Sequence, residues 1–138
     1  MLKNMKTLRQ LKKRTLMSML FLGVSLAAFA FAPQVWILSW SVTNITSNSA
    51  HLVVEHEGAK QFKLEILTLD GECVGGISKY TDSINPEDII YSVMDIVNLQ
   101  PSTTYRLKIT VTGFPDETGQ SDDDVENIYF TTASEVQP

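Results

Sequence analysis

Cysteine is almost missing from this 138-residue chain: Cys73 stands alone, so no intrachain disulfide can form. Small exported domains often depend on disulfides. Without one, the fold must rest on a hydrophobic core, which a domain of roughly 100 residues can supply. Cys73 lies in Asp70-Gly71-Glu72-Cys73 beside an expected turn and reads as an ordinary, partly buried thiol. The sharper alternative is a disulfide to a second chain. Histidine is equally scarce. His51 and His56 have no Cys or His partner at zinc-ligand spacing, and both read as surface residues. Gly-x-Ser-x-Gly, His-Glu-x-x-His and a phosphate-cradling glycine loop are all absent. The chain therefore reads as a non-enzyme, with no catalytic residue, metal ligand or cofactor assigned. Helical periodicity is lacking after the first thirty residues, which points away from helical folds.

Formal charge is missing from the whole of residues 15–54. Ahead of that stretch stand Lys3, Lys6, Arg9, Lys12, Lys13 and Arg14; residues 16–27 are densely apolar, and Ala28-Phe29-Ala30 places small residues at the −3 and −1 positions of a cleavage site. This is the pattern of a secretory signal peptide spanning 1–30, cut after Ala30. A cut after Ala32 would leave Pro33 as the first residue. The competing reading is an uncleaved anchor over 16–38, long enough for the about 20 residues a bilayer needs, with Trp36 at the interface. Pro33 interrupts that helix, and 35–42 is wanted as a strand, so cleavage is favoured. In either case the domain is expected outside the cytoplasm, secreted or at the cell surface. Membrane contact is expected only if the leader stays attached. Without the leader, five Lys and Arg face sixteen Asp and Glu, a formal −11. Such a surface repels phosphate backbones and makes nucleic acid a poor partner.

Turn signals recur about every ten residues, the spacing of an all-β sandwich. The first strand ends at Trp40-Ser-Val42, and Asn44 opens a polar turn. Residues 50–55 form a second strand with Leu52 and Val54 on one face and His51, Val53 and Glu55 on the other. Glu57-Gly58-Ala59-Lys60 turns the chain. Phe62, Leu64 and Ile66 alternate in a third strand that ends at the hairpin signal Asp70-Gly71, with a short return strand from Gly75 to Tyr80. The connection 82–88 contains Asn85-Pro86, which a central strand would not tolerate. A fifth strand lies within 91–99. In the sixth, Tyr105, Leu107, Ile109 and Val111 alternate with Arg106, Lys108, Thr110 and Thr112. Residues 113–127 read as a long acidic loop, and Ile128-Tyr129-Phe130-Thr131-Thr132 as the closing strand. A Tyr heading the sixth strand can lay its ring on a sandwich core and turn its hydroxyl back to the preceding turn.

Seven strands in this order, with Leu99-Gln-Pro101-Ser-Thr103-Thr-Tyr105 before the sixth, resemble a fibronectin type III domain. Residues 42–54 look like that family's first turn and second strand, and Phe130-Thr131-Thr132 like its closing strand. The resemblance covers 33–132, leaves 133–138 as a polar tail, and implies a seven-stranded antiparallel β-sandwich of immunoglobulin-like topology. It makes Leu99, Pro101, Thr103 and Tyr105 a structural motif. The family usually carries a core Trp where this chain has Val54, so Trp40 or Trp36 is expected to supply the missing bulk.

Asp116, Glu117, Asp122, Asp123, Asp124 and Glu126 crowd the acidic loop. Calcium takes carboxylate oxygens, but the alternating spacing and glycine of an EF-hand loop are missing, so no metal is assigned. In fibronectin type III domains this loop often carries adhesive contacts, which makes Asp116, Glu117, Asp122, Asp123 and Asp124 the candidate binding residues. The Arg-Gly-Asp tripeptide is absent. The expected role is a non-catalytic exported or cell-surface module presenting loops to a protein partner. Alternatives are a carbohydrate-binding sandwich with Trp36 and Trp40 as a stacking platform, a self-assembling surface domain, and strand addition at an exposed sheet edge giving homo- or hetero-assembly through backbone hydrogen bonds. Asn44-Ile45-Thr46 is a glycosylation sequon where the host performs that chemistry.

Overall fold

The computed structural model describes residues 34–135, so the basic leader, the cleavage site, residues 16–33 of the anchor alternative and the chain's last three residues lie outside the described residues, while Trp36–Leu38 of that alternative lie in a strand. Among the described residues no helix is long and apolar enough to cross a membrane. Alternating apolar positions yield seven strands: β1 (Trp36–Thr43), β2 (Ala50–Glu57), β3 (Ala59–Thr68), β4 (Cys73–Tyr80), β5 (Ile89–Ile96), β6 (Thr104–Gly113) and β7 (Asp123–Thr131). They form a three-stranded sheet of order β1-β2-β5 and a four-stranded sheet of order β4-β3-β6-β7. Every pairing is antiparallel. The fold is an all-β sandwich.

The expected period of two runs through β6 without a fault. Tyr105, Leu107, Ile109 and Val111 are buried, while the residues between them are half-buried on the opposite face. They meet Leu52 and Val54 of β2, Phe62, Leu64 and Ile66 of β3, Ile96 of β5, and Ile128 and Phe130 of β7. Phe62 is wholly buried, which contributes about 2–3 kcal/mol of transfer free energy. The volume expected from a tryptophan is supplied from β1 by Trp40, which is in register with Val54 and packs against the core; Trp36 is buried outside that cluster.

The chain passes between the sheets at three places. From β2 to β3 it does so on Gly58 alone, where the sequence suggested a four-residue turn. Its φ is +77°, and a Cβ there would come 2.6 Å from the carbonyl oxygens of Gln34 and Pro86, so only glycine fits. From β4 to β5, Asp88 Oδ2 accepts the backbone N–H groups of Ile84 and Asn85. From β5 to β6 the expected corner is present. The Tyr105 hydroxyl accepts the Gln100 N–H at 2.9 Å, and Thr103 Oγ1 donates to the Pro101 carbonyl at 2.8 Å. Thr132 joins it, accepting the Thr103 N–H at 2.9 Å and donating to the Gln100 carbonyl at 2.6 Å. The β3–β4 hairpin closes at Asp70-Gly71 as expected, with the Gly71 N–H on the Thr68 carbonyl and φ +89° at the glycine.

Three local expectations are corrected. His56 is wholly buried rather than at the surface, because β2 runs two residues past Glu55 and keeps even-numbered residues inward. β7 begins at Asp123, so the acidic loop is only 114–122. Cys73 is exposed, since edge strand β4 lies almost entirely open to solvent.

Tyr105→Phe keeps the ring but strips the Gln100 N–H of its acceptor. Urea unfolding should show a loss of about 1–2 kcal/mol. An unchanged midpoint would remove the corner from the list of stabilising features.

Candidate binding surface

The acidic residues singled out from sequence do not form one surface. Asp116 is committed to its own turn: its Oδ1 accepts from Thr118 N, Thr118 Oγ1 and Gln120 N. The Thr118 hydroxyl, helped by these backbone N–H groups, holds the Asp116 carboxyl below the usual range. Asp124 is buried, and its Oδ2 accepts the Ile37 N–H at 2.9 Å, tying β7 to β1. Glu117 and Asp123 are exposed and Asp122 is half-buried. Among the described residues no three His, Cys, Asp or Glu side chains come together as a metal site. Trp36 is buried, so the two tryptophans cannot form a flat sugar-stacking platform.

The histidines part company. His51 Nδ1 lies 2.8 Å from Asp95 Oδ1 on the outer face of the three-stranded sheet. His56 Nε2 lies 2.9 Å from Ser92 Oγ inside the sandwich, with its ring 6.0 Å from that of Phe62. Its Nδ1 is buried without a hydrogen-bond partner among the described residues. Burial first, and the positive charge of Lys79 second, push its pKa down from the usual 6.5 to about 4. A Ser–His contact sealed in the core offers no access to a substrate, and the ring is a packing element.

The side of the sandwich formed by β4 and β5 is different in kind. Eight of the twelve exposed large apolar side chains of the described residues fall between Val74 and Val97. On β5, Ile89, Tyr91 and Val93 point outward and are more than half exposed. Tyr91 donates its hydroxyl to Glu55 Oε2 at 2.6 Å, and that carboxylate raises the phenol's pKa. On the inner side, a groove of about 360 Å³ opens between β4 and β5 over Leu64, Ile66, Met94 and Ile96. Val74, Gly75, Gly76 and Ile77 form its β4 wall. A Cβ at Gly76 would collide with the Leu64 carbonyl, so the close approach of β4 to β3 requires glycine. With Gly75 beside it, two successive positions of the wall carry no side chain. Sequence reading missed this surface because it depends on which strands end as sheet edges.

No family model and no curated protein matches the sequence. Among solved structures, a computationally redesigned β-sandwich protein is similar at 23% identity over 70% of this chain and 92% of its own, with a TM-score of 0.47. The sensor domain of the anti-sigma factor RsgI4 of Pseudobacteroides cellulosolvens is similar at 19% identity over 77% of this chain and all of its own, with a TM-score of 0.44. A Ruminococcus gnavus β-glucuronidase is similar at 15% identity over 74% of this chain but only 18% of the enzyme, with a TM-score of 0.37. These are likenesses of fold.

The buried polar groups can be tested by titration and by substitution. Between pH 6.5 and 4 the unfolded chain protonates His56 while the folded chain does not, so stability falls as the pH drops through that window and is level above it. The fall should approach about 3 kcal/mol. Urea midpoints of His56→Gln across the same window should lose that part of the slope; an identical slope would acquit the histidine. Asp124→Ala should cost about 1–3 kcal/mol by orphaning the Ile37 N–H, whereas Asp123→Asn should stay within about 0.5 kcal/mol of the parent. Equal thermal shifts for the two would contradict the placement of Asp124.

Proposed function

We propose that this chain is a fibronectin type III-like, non-catalytic binding module that works outside the cytoplasm and takes a protein partner on its β4–β5 side. The sheet orders β1-β2-β5 and β4-β3-β6-β7, together with the Tyr105 corner, support the fibronectin type III assignment. The leader pattern of 1–30 and the acidic excess of residues 31–138 support export. The observation that carries the binding role is the gathering of exposed apolar side chains on one side of an otherwise polar, acidic domain. Soluble monomers keep such patches small unless something covers them. The acidic loop becomes a secondary contact at most, since Asp116 and Asp124 are engaged within the fold.

A photo-crosslinking residue at Val93, in the full chain made by its own host, tests this. A product between this chain and a different protein is expected, with no such product from the same group at Asp123. Crosslinks only between two copies would instead support self-assembly, and products only from Asp123 would restore the acidic loop as the contact surface.

A further inference from the structure

Each of the four edge strands is bonded on one side only, and three of them are guarded. The ladder of β1 breaks its register between Ile37 and Ser39, and Asp124 of β7 occupies the Ile37 N–H. β7 carries Asp123, Asp124 and Glu126 within its own length. β4 is interrupted by Gly75 and Gly76 and carries Lys79 among its exposed Val74, Ile77 and Tyr80. Charges, irregular register and weak strand formers are the usual protections of an exposed edge. β5 reads differently: Ile89-Ile90-Tyr91-Ser92-Val93-Met94-Asp95-Ile96 is apolar on both faces, with Asp95 its single charge. Its outer residues Ile89, Tyr91 and Val93 are 53%, 59% and 52% exposed, and its inner Met94 and Ile96 line the groove. Apolar composition on both faces belongs to strands covered on both faces, whereas the outer face of β5 is open. This one sits at an edge.

We propose that β5 receives a fourth strand: an extended segment of a partner protein, alternating apolar and basic residues, that pairs with its free edge and sends an apolar side chain into the β4–β5 groove. This rests on the proposed binding role and gives it a mode. Strand addition draws affinity from main-chain hydrogen bonds and specificity from pockets for alternate side chains. The groove of about 360 Å³ beside the β5 edge is such a pocket. Charge decides between occupants. Asp95 lies on the strand with its carboxylate 76% exposed, Glu87 and Asp88 precede it, and Glu55 and Glu57 face Tyr91 and Ile89 from β2. A second copy paired antiparallel through the middle of β5 would set Asp95 opposite residues 89–91 of that copy, with Glu87 close to the next same-face position, so like charges would gather at both ends of the pairing. A segment bearing Lys or Arg reverses the sign of those contacts.

The probe is a synthetic peptide of alternating Val and Lys, as long as the eight residues of β5, titrated into the isotope-labelled full chain. Amide shifts are expected along β5 and around Gly75 and Gly76. N-methylation of the peptide at every second amide should weaken binding about tenfold or more in one of its two registers and little in the other. A Val and Glu peptide should bind at least about tenfold more weakly than the Val and Lys peptide, as should the Val and Lys peptide to Val93→Lys, a variant whose melting temperature should match the parent. Equal binding of all N-methylated forms, shifts confined to β1 or β7, or no shifts at millimolar peptide would each overturn strand addition. Concentration-dependent dimers with shifts on β5 would assign the edge to a second copy instead. Should the peptide fail while the Val93 crosslink to another protein persists, the binding role stands without this mode. Failure of both removes the binding role as well.

Discussion

A single hydrogen bond, from the Gln100 N–H to the Tyr105 hydroxyl, closes the corner on which the stacking of the two sheets depends. That corner carries the chain from β5 in one sheet to β6 in the other, and it is drawn tight by Thr132, which follows β7. The Tyr105 ring lies 6.0 Å from that of Phe130 in a stacked arrangement, so the polar clasp and the apolar core share one residue. This crossover, the β2-to-β3 crossover at Gly58 and the β4-to-β5 connection assign the strands to their sheets, and once all seven have paired, β1, β4, β5 and β7 are left as edges. The candidate surface thus adjoins the corner, whose Leu99 also lines the groove.

The two lateral sides of the sandwich are finished differently. On one side β1 and β7 meet, and a buried carboxylate on β7 satisfies a backbone donor of β1. Burial of a charged group is tolerated only where hydrogen bonds replace its hydration. Asp124 therefore serves closure, not display. On the other side, β4 and β5 are not bridged in this way. Gly76, which allows β4 to lie close to β3, and Gly75 beside it bring no side chains to the seam, and β5 presents apolar groups to both faces. One side is sealed and the other is open and greasy. This asymmetry is the physical basis for placing recognition there.

Much of the scaffold was legible in the sequence because its signals are local. The period of two in β6, Asp70-Gly71 at the hairpin, and the run from Leu99 to Tyr105 each declare themselves within a dozen residues. His56 was misplaced although its parity with Leu52 and Val54 pointed inward, because a polar residue beside two glutamates reads as a strand end. Asp124 was misplaced for the same reason: it shares the parity of Ile128 and Phe130, but a run of three aspartates reads as loop. Parity outweighed polarity at both positions, and in both a hydrogen bond met the polar group inside. The groove and the open edge had no local signal. They depend on which strands lie outermost, which is settled only when all seven have paired.

The most direct measurement is amide hydrogen exchange on the protein recovered from its producing cells with its partners retained, set against the same protein purified alone. If β5 is the docking edge, alternate amides of Ile89–Ile96 gain protection in the recovered material while those of β7 do not. Unchanged exchange along β5, with new protection at Asp123–Thr131 or in the loop before it, would contradict that assignment.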